Sequence, residues 1–236
     1  MSDWTAKRFW KEALVVADGD GFSVHLDGRQ VRTPAKAPLV VPTRAFAQII
    51  AKEWDAQVDK IDPETMPATR HANVAIDRIG LVHDDVVTMI SDYGDSDLLC
   101  YRASYPEALI ARQREAWDPL LAWASDVLGA HLEVHVGVMH VPQSKADLNR
   151  LRSFVDAMTP FELAAFHDLV SLSGSLVIGL AATRNAQPVE ALWAISRTDE
   201  TFQSEQWGKD DDAEAESAIK QKSFMDAHQF YHAVQK

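Results

Sequence analysis

The sequence predicts an α+β protein, with a small N-terminal antiparallel β domain over residues 1–42 followed by a larger, mainly α-helical domain over 43–236. Three observations carry that prediction. Between Ala13 and Val41, short β-prone runs alternate with turn residues. Beyond Pro42, apolar residues recur at spacings of three and four, the period of a helix with one buried face. The same later stretch carries helix-start signals, clearest at Thr159-Pro160-Phe161-Glu162, which combines a capping Thr, Pro at the first helical position and Glu at the third.

The first β run centres on Leu14, Val15 and Val16 and meets the turn Asp18-Gly19-Asp20-Gly21. Phe22, Val24 and Leu26 then alternate with Ser23 and His25, a period of two that sends the apolar set to one face of a sheet. Asp27-Gly28 signals a tight hairpin, because Gly tolerates the positive φ such turns need. Val31–Thr33 is the expected returning strand, Pro34 and Pro38 interrupt pairing, and Leu39–Val41 offers a last short strand. Thr43 caps a helix bearing Phe46, Ile49, Ile50 and Trp54. Further helices are predicted over 65–79, 84–93 and 106–128, the last bent at Pro119 and stopped by Gly129. Ser144-Lys145-Ala146-Asp147 has the spacing of a capping box with Asp in place of Glu. Two more helices are predicted over 188–207 and 213–234. Leu132–Val138 interrupts the series as an extended edge, with His131, Glu133 and His135 toward water and Leu132, Val134 and Val136 on the covered face.

Composition removes several functions. The 236 residues carry 35 acidic and 23 basic side chains, a formal net charge of -12, which phosphate backbones and anionic membranes repel. The densest basic stretch, Arg112-Gln113-Arg114, is too small to reverse this, so nucleic acid is not an expected partner. No apolar run approaches the ~18 residues of a spanning helix, and membrane insertion is not expected. Met1-Ser2-Asp3-Trp4 has neither a signal-peptide nor a transit-peptide layout, and a cytoplasmic, bacterial location is the expectation. The lone Cys100, between Leu99 and Tyr101, reads as a buried structural thiol.

Catalytic and cofactor patterns fail one after another. There is no Gly-x-x-x-x-Gly-Lys-Ser/Thr loop, and Gly19-x-Gly21 lacks a third glycine. A calcium loop opening at Asp18 would place Phe22 and Arg29 where oxygen ligands are required. His131, Glu133 and His135 have the spacing for zinc on one strand face, but a half-buried strand with a wet polar side accounts for them better. Ser173-Gly174-Ser175 lacks the Gly-x-Ser-x-Gly frame; its glycine either lets two helices approach or breaks one helix into two. Glu200 and Glu205 stand five positions apart on a helix, which is not a shared face for an acid/base pair. What remains is Asp199–Gly208, a helix end with a large aromatic among hydrogen-bonding side chains. It reads either as an ordinary amphipathic helix with Phe202 buried or as a protein contact surface.

Landmarks along the chain are Arg8-Phe9-Trp10, Leu26-Asp27-Gly28-Arg29, Thr33-Pro34, Glu53-Trp54-Asp55-Ala56-Gln57, Met66-Pro67, Ala75-Ile76-Asp77, Asp97-Leu98-Leu99-Cys100-Tyr101-Arg102, Trp117-Asp118-Pro119-Leu120-Leu121, Phe161-Glu162-Leu163, Gly174-Ser175 and Asp199-Glu200-x-x-Gln203-x-Glu205-x-Trp207-Gly208. In this order and spacing the chain resembles the assembly chaperones specific for the alpha subunit of the F-type ATP synthase head, known in mitochondria and some bacteria. The resemblance implies a small β domain on a helical domain, no cofactor, no metal and no catalysis. It further implies a chaperone that binds the unassembled alpha subunit and shields its subunit interface until the beta subunit replaces it. The surface expected to contribute is Glu200, Gln203, Glu205, Trp207 and Gly208, with Glu53 and Trp54 contacting or supporting it; the spacing of Trp54 with Phe46 and Ile50 equally suits the core. The rival from another class is an enzyme using carboxylates near Glu200 in a helical-domain cleft. A deep pocket of converging polar groups would favour the enzyme, and a shallow open surface the chaperone.

Overall fold

A computed structural model of the chain describes residues 7–208 and 210–235. The N-terminal sheet is built around one shared strand. β1 (Ala13–Asp18) and β2 (Gly21–Leu26) pair antiparallel in unbroken register from Ala13↔Leu26 to Asp18↔Gly21. On its other edge β2 takes β3 (Arg29–Gln30) at one end and β4 (Val40–Val41) at the other. Asp27 and Gly28 both have positive φ, 47° and 81°, the backbone of a two-residue hairpin turn whose twist matches its strands. So short a turn fixes the register at once, and ladder pairing falls on Arg29–Gln30 rather than on the expected Val31–Thr33. Val31 still donates to Val24 O at 2.9 Å. Gly21 has no space for a side chain, because a Cβ there would sit 2.6 Å from the Val41 carbonyl oxygen.

The helices are α1 (Arg44–Asp55), α2 (Pro67–Asp77), α3 (His83–Ser91), α4 (Glu107–Trp123), α5 (Lys145–Asp156), α6 (Pro160–Ser173), α7 (Leu176–Thr183), α8 (Val189–Ser196), α9 (Thr198–Trp207) and α10 (Asp211–Ala233). This is the predicted α+β order. The predicted change at residue 42 is where strands give way to helices, while the compact units divide elsewhere. One unit holds the described residues up to His83, Thr159–Ala165 and those from Gln229 on; the other holds Asp84–Met158 and Phe166–His228. In the first unit Thr43 accepts from Phe46 N at 3.2 Å and starts α1, which buries Phe46, Ala47, Ile50 and Ala51. Phe46 and His71 both meet the Phe230 ring, at 5.8 and 5.1 Å between centroids. The capping box at Thr159 and Glu162 forms as predicted, with Glu162 accepting from Thr159 N at 2.8 Å.

In the second unit α4 runs through Pro119 into a π turn over Ala124–Leu128, and Gly129, at φ 67°, stops it. Gly174, at φ 72°, breaks α6 from α7, and Ser175 caps α7 by accepting from Ile178 N at 3.0 Å. All eight residues of α7 are buried, as a helix apolar on every side must be. The serines around Gly174 therefore build helix ends. Cys100 is buried, and that burial pushes its thiol up to about 12.

Three sequence expectations change. The helix over 188–207 is two helices meeting at Arg197. Ser196 Oγ and Thr198 Oγ1 turn back on the carbonyls of Trp193 and Ile195, at 2.7 and 2.8 Å, and the Trp117 indole N–H takes Ile195 O at 2.9 Å. These bonds satisfy the last carbonyls of α8 and let the chain turn. Ser144 makes no capping bond, and Asp147 instead accepts from His131 N at 2.8 Å. The extended edge over 132–138 shortens to β6 (His135–Val136), parallel to β5 (Tyr101–Arg102); His131 and Glu133 face water and Leu132 is half-buried as expected, but the rest departs from the expected faces. His135 is half-buried, while Val134, Val136 and Val138 are 46%, 72% and 93% exposed.

Candidate functional site

α9 is held by its inner face and leaves the other open. Phe202 is buried beneath the Arg112 guanidinium, 5.4 Å from the ring centre. Asp199 accepts from the Gln113 amide of α4 at 2.8 Å, while Gln113 Oε1 takes Ala103 N at 2.8 Å. Arg112 Nη2 lies 2.8 Å from Glu205 Oε2 and closes the third attachment of α9 to α4. Glu200, Gln203 and Trp207 follow one another at spacings of three and four, so they share the outward face. Trp207 is 81% exposed, and Gly208, at φ 92°, ends the helix beside it.

α10 supplies the facing wall. Asp210 caps it, accepting from the N–H groups of Asp212 and Ala213 at 3.0 and 3.2 Å. Trp193 of α8 packs against Phe224 further along α10 with 5.5 Å between ring centroids, which fixes the helix at its buried end. Between α9 and the first half of α10 lies an open groove of about 720 Å³. Glu200, Gln203, Glu205, Trp207 and Gly208 all line it, joined by Asp210, Ala213, Glu214, Glu216, Ser217 and Lys220. The structure thus brings together five of the seven residues expected to touch a partner. The α10 wall was not foreseen as part of the site, although its acidic run is plain in the sequence.

The carboxylates of the groove do not form a catalytic pair. Glu200 takes the Arg197 guanidinium at 2.9 Å and Glu205 takes Arg112, so each is matched with its own cation. The hydrogen bond from Arg112 holds the Glu205 carboxyl below its ordinary range, and the bond from Lys220 does the same for Glu216. Both are anions at neutral pH, suited to salt contacts and not to proton donation. Among the described residues no group of three or more His, Cys, Asp or Glu is placed to hold a metal ion, and no helix is long and apolar enough to cross a membrane.

Glu53 and Trp54 lie in the other compact unit and do not line this groove. Pro67 opens α2 and Met66 offers no side-chain cap, so the free N–H groups there need an acceptor from elsewhere. Glu53 provides it, accepting from Ala68 N at 2.6 Å, Thr69 N at 2.8 Å and Thr69 Oγ1 at 2.7 Å. Burial raises its pKa despite these bonds. Trp54 is half-buried and packs edge-on against Trp10, 5.2 Å between centroids. Within the structure both residues have supporting work to do.

Comparison with known proteins fits this architecture. Residues 7–125 match the family model of the ATP12 chaperone protein. The chain belongs to the ATP12 chaperone family. The sequence landmarks had pointed to the same family of ATP synthase assembly chaperones. The chain is 25% identical over 219 residues to the mitochondrial protein atp12 of Schizosaccharomyces pombe, covering 88% of this chain and 75% of that one. It is 45% identical to the crystal structure of Atp12 from Paracoccus denitrificans, with a TM-score of 0.94 over 99% of this chain and 100% of that one. A point mutant of the same Paracoccus protein superposes with a TM-score of 0.95 at the same identity and coverage. At these levels the fold is shared with solved members of the family.

Proposed function

We propose that this ATP12-family chaperone holds the unassembled alpha subunit of F-type ATP synthase, shields its subunit interface until the beta subunit replaces it, and makes part of that contact through the α9–α10 groove. The observation that carries the reading is Trp207, a large aromatic 81% exposed at the mouth of an open groove ringed by hydrogen-bonding groups. Exposed aromatics of this kind serve as anchors in protein interfaces, with a polar rim around them. An isolated subunit of a ring exposes an interface of the obligate kind, often roughly 2,000 Å² or more, which self-associates if left bare. A holder need only cover that surface until a partner with a larger interface arrives, so exchange requires no nucleotide-driven step. The open groove and its separately paired carboxylates support a binding role over a chemical one.

Charge reversal at Glu200 or Glu205 tests the assignment. Either variant is expected to fold as the parent does by circular dichroism yet to suppress aggregation of isolated alpha subunit, followed by light scattering, less well. A normally folded variant that protects the alpha subunit as fully as the parent removes this groove from the contact.

A further inference from the structure

The groove has a chemical bias as well as a shape. Building on the reading just given, we infer that the client segment seated in it is basic and amphipathic, with an apolar side chain against Trp207 and Lys or Arg side chains reaching the rim. Among the described residues that line the groove, five are carboxylates, Glu200, Glu205, Asp210, Glu214 and Glu216, and two are cations, Arg197 and Lys220. Both cations are already spent within the protein. Arg197 is bonded to Glu200 and reaches the carbonyls of Leu172 and Ser173 at 3.3 and 3.5 Å, and Lys220 lies 2.7 Å from Glu216. Arg112 offsets one further carboxylate from α4, while Asp211 and Asp212 in the first turn of α10 restore the excess. Those acidic groups also outweigh the positive end of the α10 dipole, which alone would invite an anion.

The lining is not charged throughout. Trp207, 81% exposed, and the exposed Ala213 and Thr201 add apolar surface among the charged lining residues. About 720 Å³ accommodates a few side chains from one face of a helix or an extended segment. An apolar ring among an excess of anionic groups complements a segment of apolar residues flanked by cations, and the anionic groups steer it from a distance. A second copy of this chain is a poor occupant, since it brings the same acidic rim and a net charge of -12. Nucleic acid is repelled for the same reason.

The test uses the full chain and two labelled amphipathic peptides, one of Leu and Lys and one of Leu and Glu, with binding followed by fluorescence anisotropy at rising salt. The Leu/Lys peptide is expected to bind and to weaken as salt rises, and the Leu/Glu peptide is not. Glu214→Lys combined with Glu216→Lys, and separately Trp207→Ala, each weaken the Leu/Lys peptide by about tenfold or more. Asp85→Lys on α3, an exposed acidic residue away from the groove, leaves it unchanged. Equal binding of both peptides, an unaltered affinity in the double variant, or an equal loss in Asp85→Lys overturns the inference. Whole alpha subunit separates the two claims. A double variant that loses the peptide but still prevents alpha-subunit aggregation as the parent does sinks the basic segment and leaves the chaperone assignment standing. A parent chain that binds the Leu/Lys peptide but never protects the alpha subunit sinks the assignment, and the client segment with it.

Discussion

The corner between α1 and α2 and the groove between α9 and α10 carry the same kinds of residue, a glutamate near a tryptophan at the end of a helix, and use them in opposite ways. At the corner, Glu53 gives its oxygens to two backbone N–H groups and a hydroxyl of the next helix, and Trp54 lies against Trp10. At the groove, Glu200 and Glu205 meet arginines at the surface and Trp207 faces solvent. The difference lies in what the neighbouring backbone lacks. α2 begins with Pro67 and no local cap, so its N-terminus recruits a carboxylate. α10 has Asp210 as its own cap, so its first N–H groups do not draw on Glu200 or Glu205, which meet arginines instead. The same residue types therefore serve as a helix cap in one place and as surface ion pairs in another, according to the state of the adjacent helix terminus.

The comparison extends to Asp97 in the second unit, which does from complete burial what Glu53 does from partial burial. Its two oxygens accept from Leu99 N and Val177 N, both at 3.0 Å, and so tie the Asp97–Arg102 landmark to the start of α7. Asp97→Ala leaves those donors unpaired in an apolar interior and is expected to cost about 3–5 kcal/mol in urea unfolding, the largest effect of the series. Burial also raises the Asp97 pKa from 3.8 to about 6. The folded chain therefore holds a proton that the unfolded chain has released, and this contribution to stability is fully present below pH 3.8 and is lost as pH rises through about 6. Asp97→Asn does not titrate, so the stability of the parent relative to this variant is expected to fall between pH 4 and pH 7 in urea melts. A difference that stays flat, or grows, would show that the buried carboxylate is not held protonated.

Glu53 comes next. Glu53→Gln replaces one acceptor oxygen by an NH₂ group that must face a donor on α2, and a loss of about 1–3 kcal/mol is expected. Its effect on alpha-subunit protection should follow the loss of folded protein and no more. If Glu53→Gln abolishes protection at a temperature where the variant is fully folded, the corner is a contact surface as well as a support, and the contrast with the groove collapses.

Much of the fold was legible because its causes are local. Asp27-Gly28 specifies its own turn, and Thr159 with Glu162 its own cap, within a few residues. The burial of His135 and exposure of Val136 in β6 were not legible: alternation along 132–138 sends them the other way, and only the pairing with Tyr101 and Arg102 settles it. The break at Arg197 hid for a similar reason, since Ile195 O is taken partly by Trp117 from 78 residues away. For the site, the α9 residues stood out as a composition without catalytic logic, and the α10 wall was visible only as an acidic bias. Nothing in the sequence states that the two face each other across a groove. The supporting half of the role expected of Glu53 was not legible locally, because the N–H donors it serves, Ala68 and Thr69, lie fifteen and sixteen residues ahead, beyond any local capping pattern.

The smallest effect on stability belongs to Trp207, and it is the sharpest test of the contrast. A tryptophan is the residue whose loss ordinarily costs most in a core, about 3–5 kcal/mol for truncation to Ala. At 81% exposure Trp207 removes little surface from water on folding, so Trp207→Ala is expected to change unfolding free energy by no more than about 0.5 kcal/mol. Stability gives no reason for so large an apolar ring in water, whereas the proposed client contact would give one. The same variant should therefore melt with the parent in calorimetry and fail beside it in the light-scattering assay with alpha subunit. A clear drop in melting temperature would place the indole in a packed interior and return α9 to the class of ordinary amphipathic helices.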